Sequence, residues 1–325
     1  MLLAGAREMT GPAPARNAVR GVPPVCADFE KVRARFGAAA DILNTFSSWK
    51  LVEARDSMAV AMLNPELDAK TCLFGYIDFP DDMAAARGLF PGIEAAAREF
   101  GACAVDGPVN YSTGMGYKWK ISGWQHGQIP PEPDNPPHMP RIAAELGWRI
   151  RQRYFSDLIA LNPERYGQHL DNCLWRGYRF ERFFGQQWRG ALEAMFELTK
   201  ASFAHVPYYA PLRRDYFRDV YLSFLSETEP VADVCLRGSE ACGFILHYRN
   251  PRNPKQWVVP LVAVAENHRR RGIGSALAYC AHSAARDAGA QFCVHHHMHE
   301  SSLFRNFTGR NMTIAEYAVF GRDLT

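Results

Sequence analysis

The chain has 325 residues, of which 47% are hydrophobic and 22% charged, enough to bury two cores of ordinary domain size. Its formal net charge of +3 is nearly neutral for this length, which argues against a dedicated nucleic-acid-binding protein. No run approaches the roughly 20 apolar residues that span a bilayer, so we expect a protein without a membrane anchor.

The eight cysteines are scattered, without a C-x-x-C pair or a regular spacing. This distribution predicts neither a disulfide framework nor a zinc site, and it fits a reducing compartment such as the cytoplasm. Residues 1–27 contain a single acidic side chain, Glu8, among Arg, Ala, Pro and Gly. They predict a flexible N-terminal tail, with an organelle transit peptide as the alternative.

Residues 28–160 predict a first domain that contains a strand, helix, strand unit. Helical spacing of apolar residues and a terminal glycine indicate its clearest helix, and β-branched or aromatic runs indicate its strands. The predicted elements are a helix from Phe29 through Ala40, strands Ser57–Leu63 and Cys72–Asp78, helix Met83–Phe100, strand Ala102–Val105, helix Arg141–Leu146 and strand Arg149–Ser156.

Residues 161–176 predict a linker, and residues 177–325 predict a second domain. A sheet that begins antiparallel and then makes a strand, helix, strand crossover is α/β in character. The predicted elements are strand Tyr178–Phe184, helices Gln187–Phe203 and Leu212–Leu225, strands Val231–Arg237, Ala241–Tyr248 and Trp257–Val264, helix Ser275–Ala288, strand Gln291–His297, a short helix Ser301–Thr308 and strand Thr313–Phe320.

The pattern R-x-x-G-x-G joins a β-branched strand to a helix at Arg269–Gly274. A helix that opens after a strand presents several unpaired backbone N–H groups, which together bind an anion such as pyrophosphate. Gly272 and Gly274 let the backbone approach the phosphates, and the arginines add positive charge. The other interpretation of these residues is a tight turn with a solvated arginine run.

The order of elements around this loop resembles the GNAT N-acyltransferase family, whose signature is [Q/R]-x-x-G-x-[G/A] after the fourth strand. The resemblance covers about residues 177–325. It implies that the amides of Arg271, Gly272, Ile273, Gly274 and Ser275 bind the pyrophosphate of an acyl-CoA donor, with Arg269 and Arg270 beside them. It also implies that the backbone from Val262 to Val264 pairs with the pantetheine arm like an added strand.

The residues that often transfer protons in this family are missing from their expected positions. The stretch Trp257–Pro260 has no glutamate to act as a base, and residues 301–308 have no tyrosine to protonate the leaving thiolate. An acyl transfer still requires an amine freed of its proton and a stabilised thiolate. Thioester attack itself needs no metal, and we expect none.

The run from Cys293 to Glu300 contains four histidines that could replace those groups. On a strand, alternation places His295, His297 and His299 on one face with Cys293, and His296 on the other. We predict the three histidines as catalytic. Two alternatives stay open, namely structural histidines with satisfied hydrogen bonds, and a metal site, for which no partner is visible nearby in sequence.

Tyr208 and Tyr209 lie between the first two predicted helices of the second domain. In GNAT proteins this connection shapes the acceptor pocket, so the resemblance implies that both bind substrate. The alternative is a packed loop whose hydroxyls face water.

The first domain resembles the same family in a degenerate form. A G-P-x-N-x-S segment begins at Gly107, and Asn135-Pro136-Pro137 leads to a helix that ends before Gly147-Trp148. The helix after Cys72–Asp78 is entered through Pro80-Asp81-Asp82, where two acids would repel a pyrophosphate. The sequence thus predicts two GNAT-like domains, each a mixed, mostly antiparallel sheet flanked by helices, of which only the second binds a donor.

The predicted function is transfer of an acetyl or other small acyl group from acyl-CoA to a small-molecule amine. Two alternatives remain: a donor carried on an acyl carrier protein or aminoacyl-tRNA, and a non-catalytic acyl-CoA-binding protein. The arginines at the donor loop would meet an acidic carrier surface. The acceptor, the acyl group and the oligomeric state do not follow from the sequence.

Overall fold

A computed structural model describes residues 27–45, 48–64, 66–306 and 311–324, so nearly all of the predicted N-terminal tail lies outside the described residues. The chain forms two compact units, Met1–Asp41 and Ile42–Thr325. In the first unit, helix α1 (Ala27–Phe36) buries Phe29 and Val32. A 3₁₀ helix, Gly37–Thr45, follows it. The predicted helix through Ala40 is therefore an α-helix that tightens into 3₁₀ geometry.

The elements up to residue 160 follow the predicted order. The longest helix buries one apolar face, which includes Leu89, Phe90, Ile93 and four of its alanines. These elements are β1 (Trp49–Ala54), β2 (Ser57–Met62), β3 (Thr71–Asp78), α2 (Met83–Glu99), β4 (Ala104–Gly107), β5 (Trp119–Ser122), α3 (His138–Glu145) and β6 (Arg149–Ala160). The sequence missed β1 and β5.

The remaining elements also agree with the prediction, apart from the predicted linker, most of which is a helix. They are α4 (Glu164–Trp175), β7 (Tyr178–Phe183), α5 (Leu192–Ser202), α6 (Arg214–Thr228), β8 (Val231–Arg237), β9 (Glu240–Arg249), β10 (Gln256–Val264), α7 (Ile273–Asp287), β11 (Phe292–His299), α8 (Leu303–Asn306) and β12 (Asn311–Asp323). Among the described residues, none of these helices is long and apolar enough to cross a membrane.

All twelve strands form one mixed, mostly antiparallel sheet in the order β1-β2-β3-β4-β12-β6-β11-β10-β9-β8-β7, with β5 paired to β12. Among the strand pairs of the described residues, β3–β4 and β10–β11 are the parallel ones. The last strand of each predicted domain lies in the other half. Strand β6 pairs with β11, and β12 pairs with β4 and β5. The domain boundaries stay a prediction, but the two halves exchange strands and share one sheet.

This exchange predicts that neither half folds alone. Separate expression of residues 27–160 and 161–325 would leave β4 and β11 without a neighbour on one side, and unpaired strand edges are prone to aggregation. We expect each fragment to be insoluble or unfolded by circular dichroism, and co-expression to give a soluble 1:1 complex. Cooperative unfolding of residues 161–325 as an isolated monomer would contradict the exchange.

The sheet near the predicted donor loop has helices on both faces. Phe244 and Leu246 of β9 pack with α5 and α6 on one face, whereas Ile245 packs with α7 on the other. A row of buried polar side chains crosses the α7 face from β10 to β7. Trp257 Nε1 donates to His247 Nδ1 at 2.9 Å, and His247 Nε2 lies 2.8 Å from Asp233.

The guanidinium of Arg182, in β7, is the last member of this row. It donates to both oxygens of Asp233, at 2.7 and 2.9 Å, and to the carbonyl of Cys280 in α7. Burial raises the pKa of Asp233, but the hydrogen bonds from His247 and Arg182 lower it, and the resulting pKa lies below its usual value. The row therefore fixes α7, which begins at the donor loop, to the strands beneath it.

The substitution Asp233→Ala should lower the free energy of unfolding by about 3 kcal/mol, because it removes the buried carboxylate with which His247 and Arg182 pair. Because the folded pKa is depressed, the carboxylate stabilises the fold above the unfolded pKa of about 3.9 and loses its effect as the pH falls through the folded pKa. Urea unfolding of Asp233→Ala and wild type at pH 7 and pH 3 measures both effects.

The matched control is Asp219→Ala, whose carboxylate forms an exposed pair with Arg218 at 3.3 Å. An exposed pair contributes about 0.5 kcal/mol or less. Equal losses in the two variants would show that the buried row does not stabilise the sheet.

Candidate functional site

Strands β10 and β11 run in parallel and then part. Their pairing extends from Gln256↔Phe292 to Val259↔His295 and goes no further. Beyond this point β11 continues along β6, whereas β10 continues along β9 as far as Val264↔Gly243. Among the described residues, the edge of β10 that faced β11 is left without a strand partner from Pro260 onward.

The free edge of β10, residues 260–264, is shaped by a proline and a bulge. The register between β9 and β10 shifts between Val258 and Leu261, and Pro260, within the shift, has no N–H to donate. Val262 and Val264 are half-buried, as a docking edge should be. The carbonyl of Val264 already accepts from the Ser202 hydroxyl at 3.3 Å and from Arg269 Nε at 3.3 Å.

The donor loop leads from the end of this edge into α7. Arg270 and Gly272 have positive φ values of 60° and 85°. Helix α7 starts at Ile273, and no side chain caps its N-terminus at Gly272. The amides of Ile273, Gly274 and Ser275 therefore lie in the first turn of an uncapped 15-residue helix, the arrangement expected for an anion.

Two side chains hold the loop in place, and neither role was apparent in the sequence. His268 is buried, and its Nδ1 lies 2.9 Å from the hydroxyl of Tyr178 in β7. Arg269 turns back, since it donates to Val264 and to the carbonyl of Ser202 at 3.4 Å. Of the three loop arginines, Arg269 therefore supports the loop.

Arg271 faces a cationic pocket of about 440 Å³, lined by Arg176, Tyr178, Arg237 and Arg271. Helix α4 supplies one side of it. Arg176 donates to the carbonyl of Arg271 at 3.3 Å, and a Cβ on Gly272 would lie 3.3 Å from His169 Nδ1. The segment predicted as a linker thus packs against the donor loop and adds a further guanidinium beside it.

The equivalent place in the first half is filled by the chain itself. Strands β3 and β4 pair in parallel only from Thr71↔Ala104 to Leu73↔Asp106. Beyond this, Val109 N donates to Phe74 O at 2.8 Å, and Asn110 Oδ1 accepts from Tyr76 N at 2.9 Å. The N-terminus of α2 is capped by Asp82. Both the edge and the helix end that a donor would need are occupied.

The predicted catalytic histidines do not share one face. His295 is buried against α7, where its Nε2 lies 3.3 Å from His282 Nε2. A bulge between His295 and Met298 breaks the alternation, and His297 has φ 57°. His299 contacts Gln152 and Ser301, both at 2.7 Å. The prediction of a common face is therefore wrong, since regular strand geometry ends at the bulge.

His296 and His297 follow the last β10–β11 pair and so stand where the two strands part. Their rings stack with centroids 3.6 Å apart, and both Nε2 atoms are buried without a hydrogen-bond partner among the described residues. Burial lowers the pKa of both rings well below the usual value, and nearby Lys118 and Lys120 lower it further. The lowered pKa values favour the neutral form of both imidazoles.

A buried hydrogen-bond chain, which the sequence did not reveal, leads to His296. Lys120 Nζ donates to Glu132 at 2.8 Å, and the hydroxyl of Tyr317 donates to the other Glu132 oxygen at 2.6 Å. Ser156 Oγ donates to the Tyr317 oxygen at 3.2 Å and lies 2.8 Å from His296 Nδ1. Its members come from four separate segments of the chain, so no local spacing predicts them.

The directions of these bonds fix the tautomer of His296. The Glu132 carboxylate takes the Tyr317 proton, the Tyr317 oxygen takes the Ser156 proton, and Ser156 Oγ must then accept from His296 Nδ1–H. A neutral His296 consequently carries its lone pair on Nε2. The Nε2 atom of His296 is therefore a hydrogen-bond acceptor.

The predicted acceptor residues Tyr208 and Tyr209 lie in a loop that meets the first half. The Tyr208 hydroxyl donates to Asp106 in β4 at 2.8 Å, so this hydroxyl is engaged in holding the two halves together. Burial raises the pKa of Tyr209 to about 12, and its ring packs near Phe203. Ser112 and Ala210 exchange two hydrogen bonds beside them, at 2.8 and 3.0 Å.

Comparison with known proteins agrees with this geometry. Residues 192–303 match the family described as acetyltransferase (GNAT) family. A tandem GNAT protein from the clavulanic acid biosynthesis pathway, solved without AcCoA, shares the fold with a TM-score of 0.50, 12% identity and coverage of 94% of this chain and 89% of that one.

Two weaker similarities complete the comparison. A GCN5-related N-acetyltransferase from Sphaerobacter thermophilus has a TM-score of 0.44 at 13% identity, over 82% of this chain and 76% of that one. A GCN5-related glucosamine N-acetyltransferase region of a fungal protein has a TM-score of 0.48 at 14% identity. The match covers 91% of this chain and 37% of that one. No curated protein matches the sequence.

The sheet with a parted parallel strand pair and an uncapped helix at its end is an α/β fold of the GNAT type. The comparisons support the GNAT superfamily, with the family match at residues 192–303 and the fold shared with a tandem GNAT protein.

Proposed function

We propose that this protein is an N-acyltransferase that moves an acetyl or other small acyl group from acyl-CoA to a small-molecule amine. The observation that carries the proposal is the free edge of β10 beyond Val259↔His295, which leads to the uncapped N-terminus of α7. A pantetheine arm has amides that pair with such an edge, and a pyrophosphate suits such a helix end.

The donor lies along residues 260–264 with its acyl end at the point where β10 and β11 part. The amides of Ile273, Gly274 and Ser275 bind the pyrophosphate. The pocket formed by Arg176, Arg237 and Arg271 supplies positive charge for a further phosphate of the donor. Arg270 is exposed beside it.

The acceptor approaches from the face of the sheet that carries α5 and α6. There the segment around Ser112 is hydrogen-bonded to the loop at Ala210, and Tyr111 and Met115 pack against the cluster that contains Leu261. This cover over the second half favours a small acceptor over a folded protein surface.

The chemistry is a direct attack of the amine on the thioester. The amine nitrogen bonds to the carbonyl carbon, the carbon–sulfur bond breaks, and the thiolate leaves with its electron pair. The attacking nitrogen loses one proton, and His296 Nε2 accepts it, because the chain through Ser156, Tyr317 and Glu132 fixes its lone pair there. His297, stacked on His296, limits its movement. Catalytic roles for His295 and His299 lack such support, since both are engaged elsewhere.

The variant Gly274→Glu should weaken acyl-CoA binding by about 100-fold, because it places a carboxylate beside the pyrophosphate, and such like-charge contacts cost several kcal/mol. A Cβ on Gly274 would lie 4.0 Å from Val264, an ordinary contact, so the fold should persist. Isothermal titration with acetyl-CoA gives the dissociation constant, and thermal unfolding without ligand checks the fold.

Two controls accompany this variant. Gly274→Ala fits the family signature and should bind acetyl-CoA like wild type. Gln125→Glu makes an equal charge change at an exposed position in the first half and should also bind normally. If Gly274→Glu retained the wild-type affinity for acetyl-CoA, the donor would not bind at this helix end.

The variant His296→Gln should reduce kcat by about 100-fold or more while the KM for acetyl-CoA changes little, because positioned proton acceptors contribute 10²–10⁴-fold. Release of free thiol in the presence of a panel of small amines measures turnover. His126→Gln, at an exposed position in the first half, is the matched control. If His296→Gln retained full activity, a group other than His296 would accept the proton.

The arginines of the pocket also suit the acidic surface of an acyl carrier protein, the second candidate donor. The same thiol-release measurement with an acylated carrier protein in place of acyl-CoA separates the two. Acyl-CoA binding without thiol release from any amine would instead indicate the third candidate, a non-catalytic acyl-CoA-binding protein.

A further inference from the structure

Three potential metal ligands meet in the core between α7 and β11. His282 projects from α7, while Cys293 and His295 are alternate residues of β11 on the face that α7 covers. Their ligating atoms lie within 4.8 Å of one another, and the two Nε2 atoms are 3.3 Å apart. All three residues are buried, with 1%, 0% and 1% of their surfaces exposed.

Hydrogen bonding does not account for this cluster, which we call the HCH cluster. The Nδ1 atoms of His282 and His295 have no partner among the described residues, and Cys293 is a buried free cysteine. One long contact between two imidazoles is the only polar interaction among its three groups. Burying polar groups without partners is unfavourable.

The geometry suits a tetrahedral metal ion. Zinc–nitrogen bonds of about 2.0–2.1 Å at a tetrahedral angle place two ligating nitrogens about 3.3–3.4 Å apart. The observed separation of 3.3 Å between the two Nε2 atoms agrees with this value. Imidazole nitrogen and thiolate sulfur are both ligands that zinc accepts.

We propose that His282, Cys293 and His295 bind a zinc ion that fastens α7 to β11. Three protein ligands leave the fourth tetrahedral position for water. The ring of Phe304 stacks on His295 with centroids 4.5 Å apart, and the ring of Tyr166 lies 5.2 Å from that of His282. These two aromatic walls shield the ion from exchange with bulk solvent.

The position of the ion gives it a structural role in the donor cleft. His295 is the last residue of β11 that pairs with β10, and α7 begins at the donor loop. A zinc ion in the HCH cluster therefore fixes the helix that holds the pyrophosphate relative to the strand that bounds the acyl end. It lies on the face opposite α5 and α6, so it takes no part in the acyl transfer itself.

Zinc content of the full-length protein tests the proposal. The purified protein is incubated with ZnCl₂, desalted and measured by inductively coupled plasma mass spectrometry. We expect about one zinc per chain in wild type and less than about a tenth of this in Cys293→Ser and His282→Gln. The matched control Cys280→Ser changes a cysteine of α7 outside the cluster and should retain the ion.

Cobalt substitution keeps the test valid if a variant folds poorly. Co²⁺ added to the chelator-treated wild type should give a thiolate-to-cobalt absorption band in the near ultraviolet, and Cys280→Ser should give the same band. Removal of zinc from wild type should also lower its Tm. Wild type that retains no zinc after desalting and shows no cobalt–thiolate band would overturn the proposal, as would full zinc occupancy in a folded Cys293→Ser variant.

Discussion

The parting of β10 and β11 is the constraint on which the site depends. The parallel pairing ends at Val259↔His295, where a bulge begins in the pairing of β11 with β6, while β10 stays paired with β9. The gap exposes one edge of β10 at the point where α7 starts. An edge and a helix end so close together suit one extended ligand with amides at one end and phosphates at the other.

The exchange of β6 and β12 explains why a first half without a donor site is still part of the molecule. Strand β6 is the neighbour of β11 on the side away from β10, and it stays paired with β11 beyond the point where β10 and β11 part. The first half also provides Ser156, Glu132 and Lys120 of the chain that leads to His296. In the equivalent site of the first half itself, Asn110 fills the cleft and Asp82 caps the helix. The first half nevertheless makes these contributions to the second.

The histidine run shows where local pattern stops being informative. Alternation correctly placed Cys293 and His295 on one face, because β11 is regular up to that point. Beyond the bulge, alternation no longer predicts the face on which a histidine lies. His296, which the pattern placed on the opposite face from the predicted catalytic histidines, is the histidine with a defined tautomer.

Two further elements also depend on distant neighbours. Strand β5 has four residues and exists only through its pairing with β12. Helix α4 was interpreted as a connector, although it packs against the donor loop through Cys173 and Arg176.

The sequence by itself determined the order of most helices and strands and the position of the loop at Arg269–Gly274, because these depend on neighbours within a few residues. The family match over residues 192–303 agrees with them. Only the tertiary structure decided the strand exchange, the hydrogen-bond chain to His296 and the HCH cluster. Each of these joins residues that are far apart in sequence, such as His282 with His295 or Glu132 with Tyr317, and such contacts follow from strand order and register.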